Sequence, residues 1–130
     1  MLNVHILLVD DETDTEFLFK SFFRKWIKDG KVRLSFTPDA SQALDKLSLS
    51  DGNDIILILS DINMPGMSGI ELLNKVKAMY PHIDVFMMTA YDNEEYRKES
   101  KEGGALNYLT KPIDFNFLKD EIVKLHPQIT

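Results

Sequence analysis

Three apolar runs in this chain end in residues whose types could together hold one phosphoryl group and one divalent cation. Asp10 and Asp11 follow Val4-His5-Ile6-Leu7-Leu8-Val9, and Asp61 follows Ile55-Ile56-Leu57-Ile58-Leu59-Ser60. Lys111 and Pro112 follow the run from Ala105 to Thr110. If the runs are neighbouring parallel strands, three carboxylates and one ammonium converge at a single sheet edge. Crowded carboxylates repel one another, so such a cluster needs a cation or must take up protons. Mg²⁺ suits it, being satisfied by two or three carboxylates, a carbonyl oxygen and water in octahedral geometry. A carboxylate can also attack phosphorus to form an acyl phosphate. Lys111 could then offset the negative charge of the transferring group. Thr89, at the end of another apolar run, has a hydroxyl that could hydrogen-bond a phosphoryl oxygen.

Each of these residues has an ordinary reading when taken alone. Aspartate after a strand is a common turn or helix-cap residue. A lone lysine is usually a surface residue, and threonine is at home in a strand. Their joint placement carries the argument. In open parallel sheets, ligands bind outside the carboxyl ends of the strands where the strand order reverses.

The elements needed to produce that placement are legible. Strand-like runs at about 4–9, 32–36, 55–60, 84–89 and 105–110 alternate with helix-like stretches, which predicts a parallel sheet with helices on both faces. The first, third and fourth runs are nearly all apolar, as expected of strands buried on both sides. Four helix starts show a capping residue three positions before Glu or Gln: Thr13 and Glu16, Asp39 and Gln42, Ser68 and Glu71, Asp92 and Glu95. In the first helix, Leu18, Phe22 and Trp26 with the parallel row Phe19, Phe23 and Ile27 predict a broad inward face. Phe17 lies opposite, a candidate partner contact. The fourth helix, about 93–103, offers only Tyr96, Ser100 and Gly103 inward, so it is expected to be the least stable. The last helix, from about Asp114, is expected to bury Phe115, Leu118, Ile122 and Leu125, leaving Phe117 and Val123 elsewhere.

Composition narrows the function classes. The 130 residues are 44% hydrophobic and 28% charged, with no repeat or linker, which predicts one domain spanning 1–130. A net charge of −6 disfavours direct nucleic-acid binding through a basic surface. The absence of cysteine excludes disulfides, thiolate metal sites and a cysteine nucleophile. No apolar run approaches the roughly 18 residues of a membrane span, so no membrane partner and a cytoplasmic location are expected. His5, His82 and His126 are scattered and read as structural.

Four stretches resemble, in order, the receiver domain of two-component response regulators. They are Ile6-Leu7-Leu8-Val9-Asp10-Asp11-Glu12, Ser60-Asp61-Ile62-Asn63-Met64-Pro65-Gly66-Met67-Ser68-Gly69, Met88-Thr89-Ala90 and Tyr108-Leu109-Thr110-Lys111-Pro112. The resemblance covers essentially the whole chain. It implies a flavodoxin-like, doubly wound, five-stranded parallel sheet of order 2-1-3-4-5 with five helices on both faces. It also implies that Asp61 accepts the phosphoryl group, that Asp11 ligates Mg²⁺ directly with Asp10 acting partly through water, and that Asp61 and the Asn63 carbonyl complete the metal set. Thr89 resembles the switch hydroxyl, with Ala90 beside it in the phosphoryl-binding set, Lys111 as the ammonium and Tyr108 as the switch aromatic. The bond before Pro112 is expected to be cis.

On that resemblance the partners are a sensor histidine kinase or histidine phosphotransfer protein, and an output domain or downstream protein. Phosphorylation is expected to draw Thr89 inward, turn Tyr108 and alter the surface of the fourth helix, fifth strand and fifth helix, where Tyr91 and Phe117 are candidate contacts. A bulky Tyr91 at the rim is expected to hinder attacking water and prolong the signal. The domain would catalyse its own modification without being a turnover enzyme. Three alternatives compete: a phosphate-independent interaction module of the same fold, a haloacid-dehalogenase-type phosphohydrolase and a flavodoxin. The intact set of acidic residues, Thr89 and Lys111 speaks against the first. Glu12, where the second would have aspartate, and the lack of room for a cap speak against the second. Carboxylates where a flavin phosphate needs donors speak against the third. Kinase, output, oligomeric state and whether the chain is a whole protein or a piece stay open.

Overall fold

The computed structural model describes residues 3–49 and 54–129, so the outermost residues of the expected 1–130 domain lie outside it. Its elements run β1 (Val4–Val9), α1 (Thr13–Phe22), α2 (Arg24–Lys28), β2 (Val32–Thr37), α3 (Ala40–Ser48), β3 (Ile55–Asp61), α4 (Gly69–Met79), β4 (Asp84–Thr89), α5 (Glu94–Glu102), β5 (Asn107–Thr110) and α6 (Phe115–Leu125). A 3₁₀ turn, Pro127–Ile129, follows. All strand pairings are parallel, in the order β2-β1-β3-β4-β5. The strand order is the expected one. Extra ladder pairing extends β3 one residue further than its apolar run, through Asp61 opposite Met88. β5 is shorter than its run because Ala105 and Leu106 belong to the connection from α5, though Leu106 N–H still donates to Val85 O at 2.9 Å.

Period-two alternation in strands covered on both faces divides the core in two. Leu7, Val9, Ile58, Val85 and Met87 pack against α3 and α4. Ile6, Leu8, Leu57, Leu59, Phe86 and Met88 pack against Phe19, Phe23, Phe115, Leu118 and Ile122 of the α1 and α6 side. Burial on both faces closes β1, β3 and β4 to water along their length, while the edge strands β2 and β5 stay partly exposed.

The helices depart from expectation in their number and in what they bury. Among the described residues there are six rather than five α-helices, because Phe23, at φ −95° and ψ 6°, interrupts the first one. The fourth expected helix is therefore α5 and the fifth α6. The broad aromatic face of the first helix is also too wide to bury whole, since a helix on a sheet covers only a stripe. Phe19 and Phe23 take the centre, while Leu18, Phe22 and Ile27 remain partly exposed at its margins. Phe22 instead stacks on Phe115, centroids 3.9 Å apart. Leu125, at the far end of α6, is likewise partly exposed.

Caps fall as expected at Asp39 and Ser68, whose side chains accept from the N–H of Gln42 and Glu71. Elsewhere they shift. Glu12 holds the N-cap position of α1 without a side-chain bond, and Asn93 rather than Asp92 caps α5. Asp92 is occupied by a two-pronged pair with Arg97, at 2.8 and 2.7 Å. α5 is as thinly buried as its composition implied, with Ser100 its one fully buried residue.

At the opposite end of the sheet, the buried His5 ring ties β1 to β2 and to the residue that precedes β3. Its Nδ1 meets Asp54 Oδ1 at 2.8 Å and its Nε2 meets Ser35 Oγ at 2.6 Å. Burial holds its pKa below the usual 6.5, against the opposing hydrogen bond and charge of Asp54. The unfolded chain therefore takes up this proton first as pH falls, and stability is lost below about 6.5. Replacing His5 with leucine also strands the Ser35 hydroxyl. A loss of about 1–3 kcal/mol at pH 8 is expected, with a shallower fall in stability between pH 6.5 and 5. Urea unfolding followed by Trp26 fluorescence measures both.

Candidate functional site

The carboxyl ends of β1, β3 and β5 bring the acidic residues and the lysine together. Ligand oxygens of Asp10, Asp11 and Asp61 all lie within 4.8 Å of one another. Asp10 is fully buried, Asp61 nearly so, and Asp11 is exposed. Lys111 Nζ donates to Asp10 Oδ2 at 2.8 Å and stands 3.6 Å from Asp61 Oδ2. The other oxygen of Asp10 accepts the Glu12 N–H at 2.9 Å, which fixes the turn leaving β1. The Lys111–Pro112 bond is cis.

The charges are unevenly satisfied. Burial raises the Asp61 pKa to about 6, with Asp10 and Asp11 adding repulsion, while Lys111 and the Asn63 N–H pull it down without prevailing. For Lys111, burial works against the charged form, but Asp10, then Asp61 and Glu12, more than compensate and raise its pKa. The donor set is hard oxygen, close-set and short of positive charge. That matches what a magnesium ion requires.

The remaining predicted residues fall around this edge. Thr89 is fully buried at the end of β4; its Oγ1 accepts the Tyr91 N–H at 2.9 Å and donates to Asn63 Oδ1 at 3.1 Å. Ala90 follows it on the surface. Tyr108 is not gathered in: it pairs with Met87 lower on the ladder, half-buried, with the Arg97 guanidinium 4.7 Å above its ring.

Two contributors were not assigned roles from sequence. Gly69 opens α4 directly against β3, where an added Cβ would lie 2.0 Å from Asp61 O and 2.8 Å from Ile62 Cα. Any side chain there would displace the residue carrying the central carboxylate. The glycine was visible within the third-strand motif, but only the packing reveals its need. The second is Tyr96, whose Oη accepts from Asn63 Nδ2 at 2.8 Å and links α5 to the site.

With this geometry in view, the comparisons are unambiguous. The family model described as the response regulator receiver domain matches residues 6–123. Sporulation initiation phosphotransferase F of Bacillus subtilis is 35% identical over 127 residues, which span 98% of this chain and 97% of that protein. The transcriptional regulatory protein ZraR of Klebsiella oxytoca is 36% identical over 89% of this chain, but over only 25% of its own length. Among solved structures, a signal receiver domain of an HD domain-containing protein from Pseudomonas fluorescens superposes with a TM-score of 0.87 at 24% identity, covering 98% of each chain. The chemotaxis protein CheY4 of Vibrio cholerae does so at 0.79 and 25%, covering 95% of this chain and 98% of that one. The chain belongs to the response-regulator receiver domain family of two-component signalling. Such domains bind Mg²⁺ at an acidic pocket and work with histidine kinases or phosphotransfer proteins and with output domains; they are generally not turnover enzymes. No helix among the described residues is long and apolar enough to cross a membrane.

The raised Asp61 pKa has a measurable consequence. The folded protein holds this proton up to about pH 6, whereas the unfolded chain releases it near the ordinary 3.8. Ionising Asp61 thus costs stability as pH rises through that window. Asp61→Asn is expected to stabilise the metal-free protein by on the order of 1–2 kcal/mol at pH 7 and to change little below the ordinary carboxylate range. Urea titrations at the two pH values check it.

Proposed function

We propose that this protein is a phosphoacceptor, taking a phosphoryl group from a phosphohistidine donor onto Asp61 and relaying its arrival to the α5–β5–α6 surface. The carrying observation is the Asp61 carboxylate, 3.6 Å from an ammonium and grouped with two more carboxylates. An oxygen of Asp61 attacks phosphorus in line, the phosphorus–nitrogen bond of the donor breaks, and its electron pair returns to the imidazole. Lys111 meets the charge on the transferring group from one side, and Thr89, once released from Asn63 Oδ1, would donate its hydroxyl to a phosphoryl oxygen. Magnesium, held by Asp10, Asp11, Asp61 and the Asn63 carbonyl, would supply the remaining neutralisation. Tyr91, 68% exposed, stands at the rim and would slow hydrolysis by obstructing water.

The donor has a surface to meet. A groove of about 420 Å³ beside the site is lined by Leu18, Phe22, Pro112 and Ile113, and Lys111 belongs to both. Phe17 stands exposed on the same helix. A partner presenting its histidine to Asp61 would cover this apolar rim.

Incubation with acetyl phosphate and Mg²⁺ is expected to add one phosphoryl group, located by mass at Asp61 and absent from Asp61→Asn. No adduct on the wild type, or one that persists in the variant, would overturn the assignment. For the groove, Leu18→Asp is expected to slow transfer from a phosphorylated histidine phosphotransfer protein by roughly tenfold or more. Labelling by acetyl phosphate, which needs no docking, should be unchanged.

A further inference from the structure

The Thr89 hydroxyl has one proton to donate, and in this structure it is already committed. Its oxygen accepts the Tyr91 N–H at 2.9 Å, so its own proton goes to Asn63 Oδ1 at 3.1 Å. That bond orients the carboxamide, since an amide has an acceptor at one end and donors at the other. Asn63 Nδ2 is thereby turned to Tyr96 Oη, 2.8 Å away. Tyr96 lies in the first turn of α5, its N–H bonded to the Asn93 cap at 2.8 Å and its ring packed on the α3–α4 side of the core. α5 buries only Ser100 fully, so the half-buried Tyr96, with its ring against the core and its hydroxyl on Asn63, is one of the few side chains that attach the helix.

We propose that Asn63 and Tyr96 are positioning residues that hold the Thr89 hydroxyl off the phosphoacceptor and make loosening of α5 contingent on phosphorylation. The inference rests on the reading of Asp61 as the acceptor. A phosphoryl oxygen on Asp61 and Asn63 Oδ1 compete for one proton. When the phosphoryl group takes it, the carboxamide loses the partner that oriented it, and Tyr96 loses its tether. Coupling between two sites is reciprocal. Whatever loosens Tyr96 must therefore make Thr89 easier to capture. The side chain of Asn63 does this work, while its backbone carbonyl remains available to the metal.

The test uses the full chain with Mg²⁺ and acetyl phosphate, comparing wild type, Tyr96→Phe, Asn63→Ala and the double variant. Phenylalanine keeps the ring in its apolar seat and removes only the hydroxyl. Two readouts are taken: the initial rate of phosphorylation by intact mass, and amide hydrogen exchange of residues 94–102 in unphosphorylated protein. Tyr96→Phe is expected to exchange faster in α5, approaching phosphorylated wild type, and to be phosphorylated about two- to tenfold faster, the worth of one net hydrogen bond. Asn63→Ala should act in the same direction, and the double variant no more than the stronger single. Wild-type labelling rates in both single variants would overturn the proposal, as would strictly additive effects. Faster α5 exchange with no change in labelling would make Tyr96 a structural contact alone. If the wild type itself takes no phosphoryl group, the reading of Asp61 fails and this inference with it. If the wild type is labelled and Tyr96→Phe behaves identically, only the inference fails.

Discussion

Three carboxylates within 4.8 Å of one another, with Lys111 as their cationic neighbour, hold negative charge in excess at a largely buried edge. The fold tolerates this by dividing the load. Asp10 is bonded to Lys111 and to the Glu12 N–H, and Asp11 faces water. Asp61 is buried without a close ion pair, and burial above all, with repulsion from Asp10 and Asp11, raises its pKa despite the Lys111 charge 3.6 Å away. A site that a cation relieves is also one where an added phosphoryl group would change the electrostatics strongly.

Keeping the carboxylates this close depends on rigid surroundings. β1, β3 and β4 are buried on both faces, so their ends cannot drift without disturbing two cores. Gly69 lets α4 begin hard against Asp61, where a larger residue could not fit. α5 is the contrast. Apart from Ser100 and the half-buried Tyr96 and Glu99, its side chains are largely exposed, and besides the Tyr96 ring on the core its attachments include contacts that can be exchanged: Asn63 with the Tyr96 hydroxyl, and Arg97 lying over Tyr108. Local stability is lowest where few apolar contacts hold a segment. A rigid charged edge beside a lightly held helix is the physical arrangement a switch requires.

The relatives place this arrangement in two settings. The same fold accounts for nearly all of a sporulation phosphotransferase and about a quarter of a transcriptional regulator. Under the proposed function, the acidic edge serves every setting alike, while the surface around α5, β5 and α6 meets a different reader in each. Phe117 on α6 and Tyr91 after β4 stand exposed there.

Much of this was legible in the chain. Apolar runs at strand length, two helix caps at Asp39 and Ser68, the poverty of apolar residues in 94–102, and carboxylates placed after strands are local signals, set by burial and backbone chemistry over a few residues. Less was legible where several segments compete for one space. The partial exposure of Leu18 and Phe22 and the transfer of the α5 cap from Asp92 to Asn93 follow from neighbours distant in sequence or from a rival pairing. The contact from Gly69 to Asp61 and the bonds joining Thr89, Asn63 and Tyr96 exist only once α4 lies against β3 and β4 and α5 are beside it. Residue types and order thus determined the chemistry available and the strands that would present it. Tertiary packing decided which carboxylate is left under-compensated and which helix is tied to it, because both depend on ångström-scale distances between segments that the chain does not join directly.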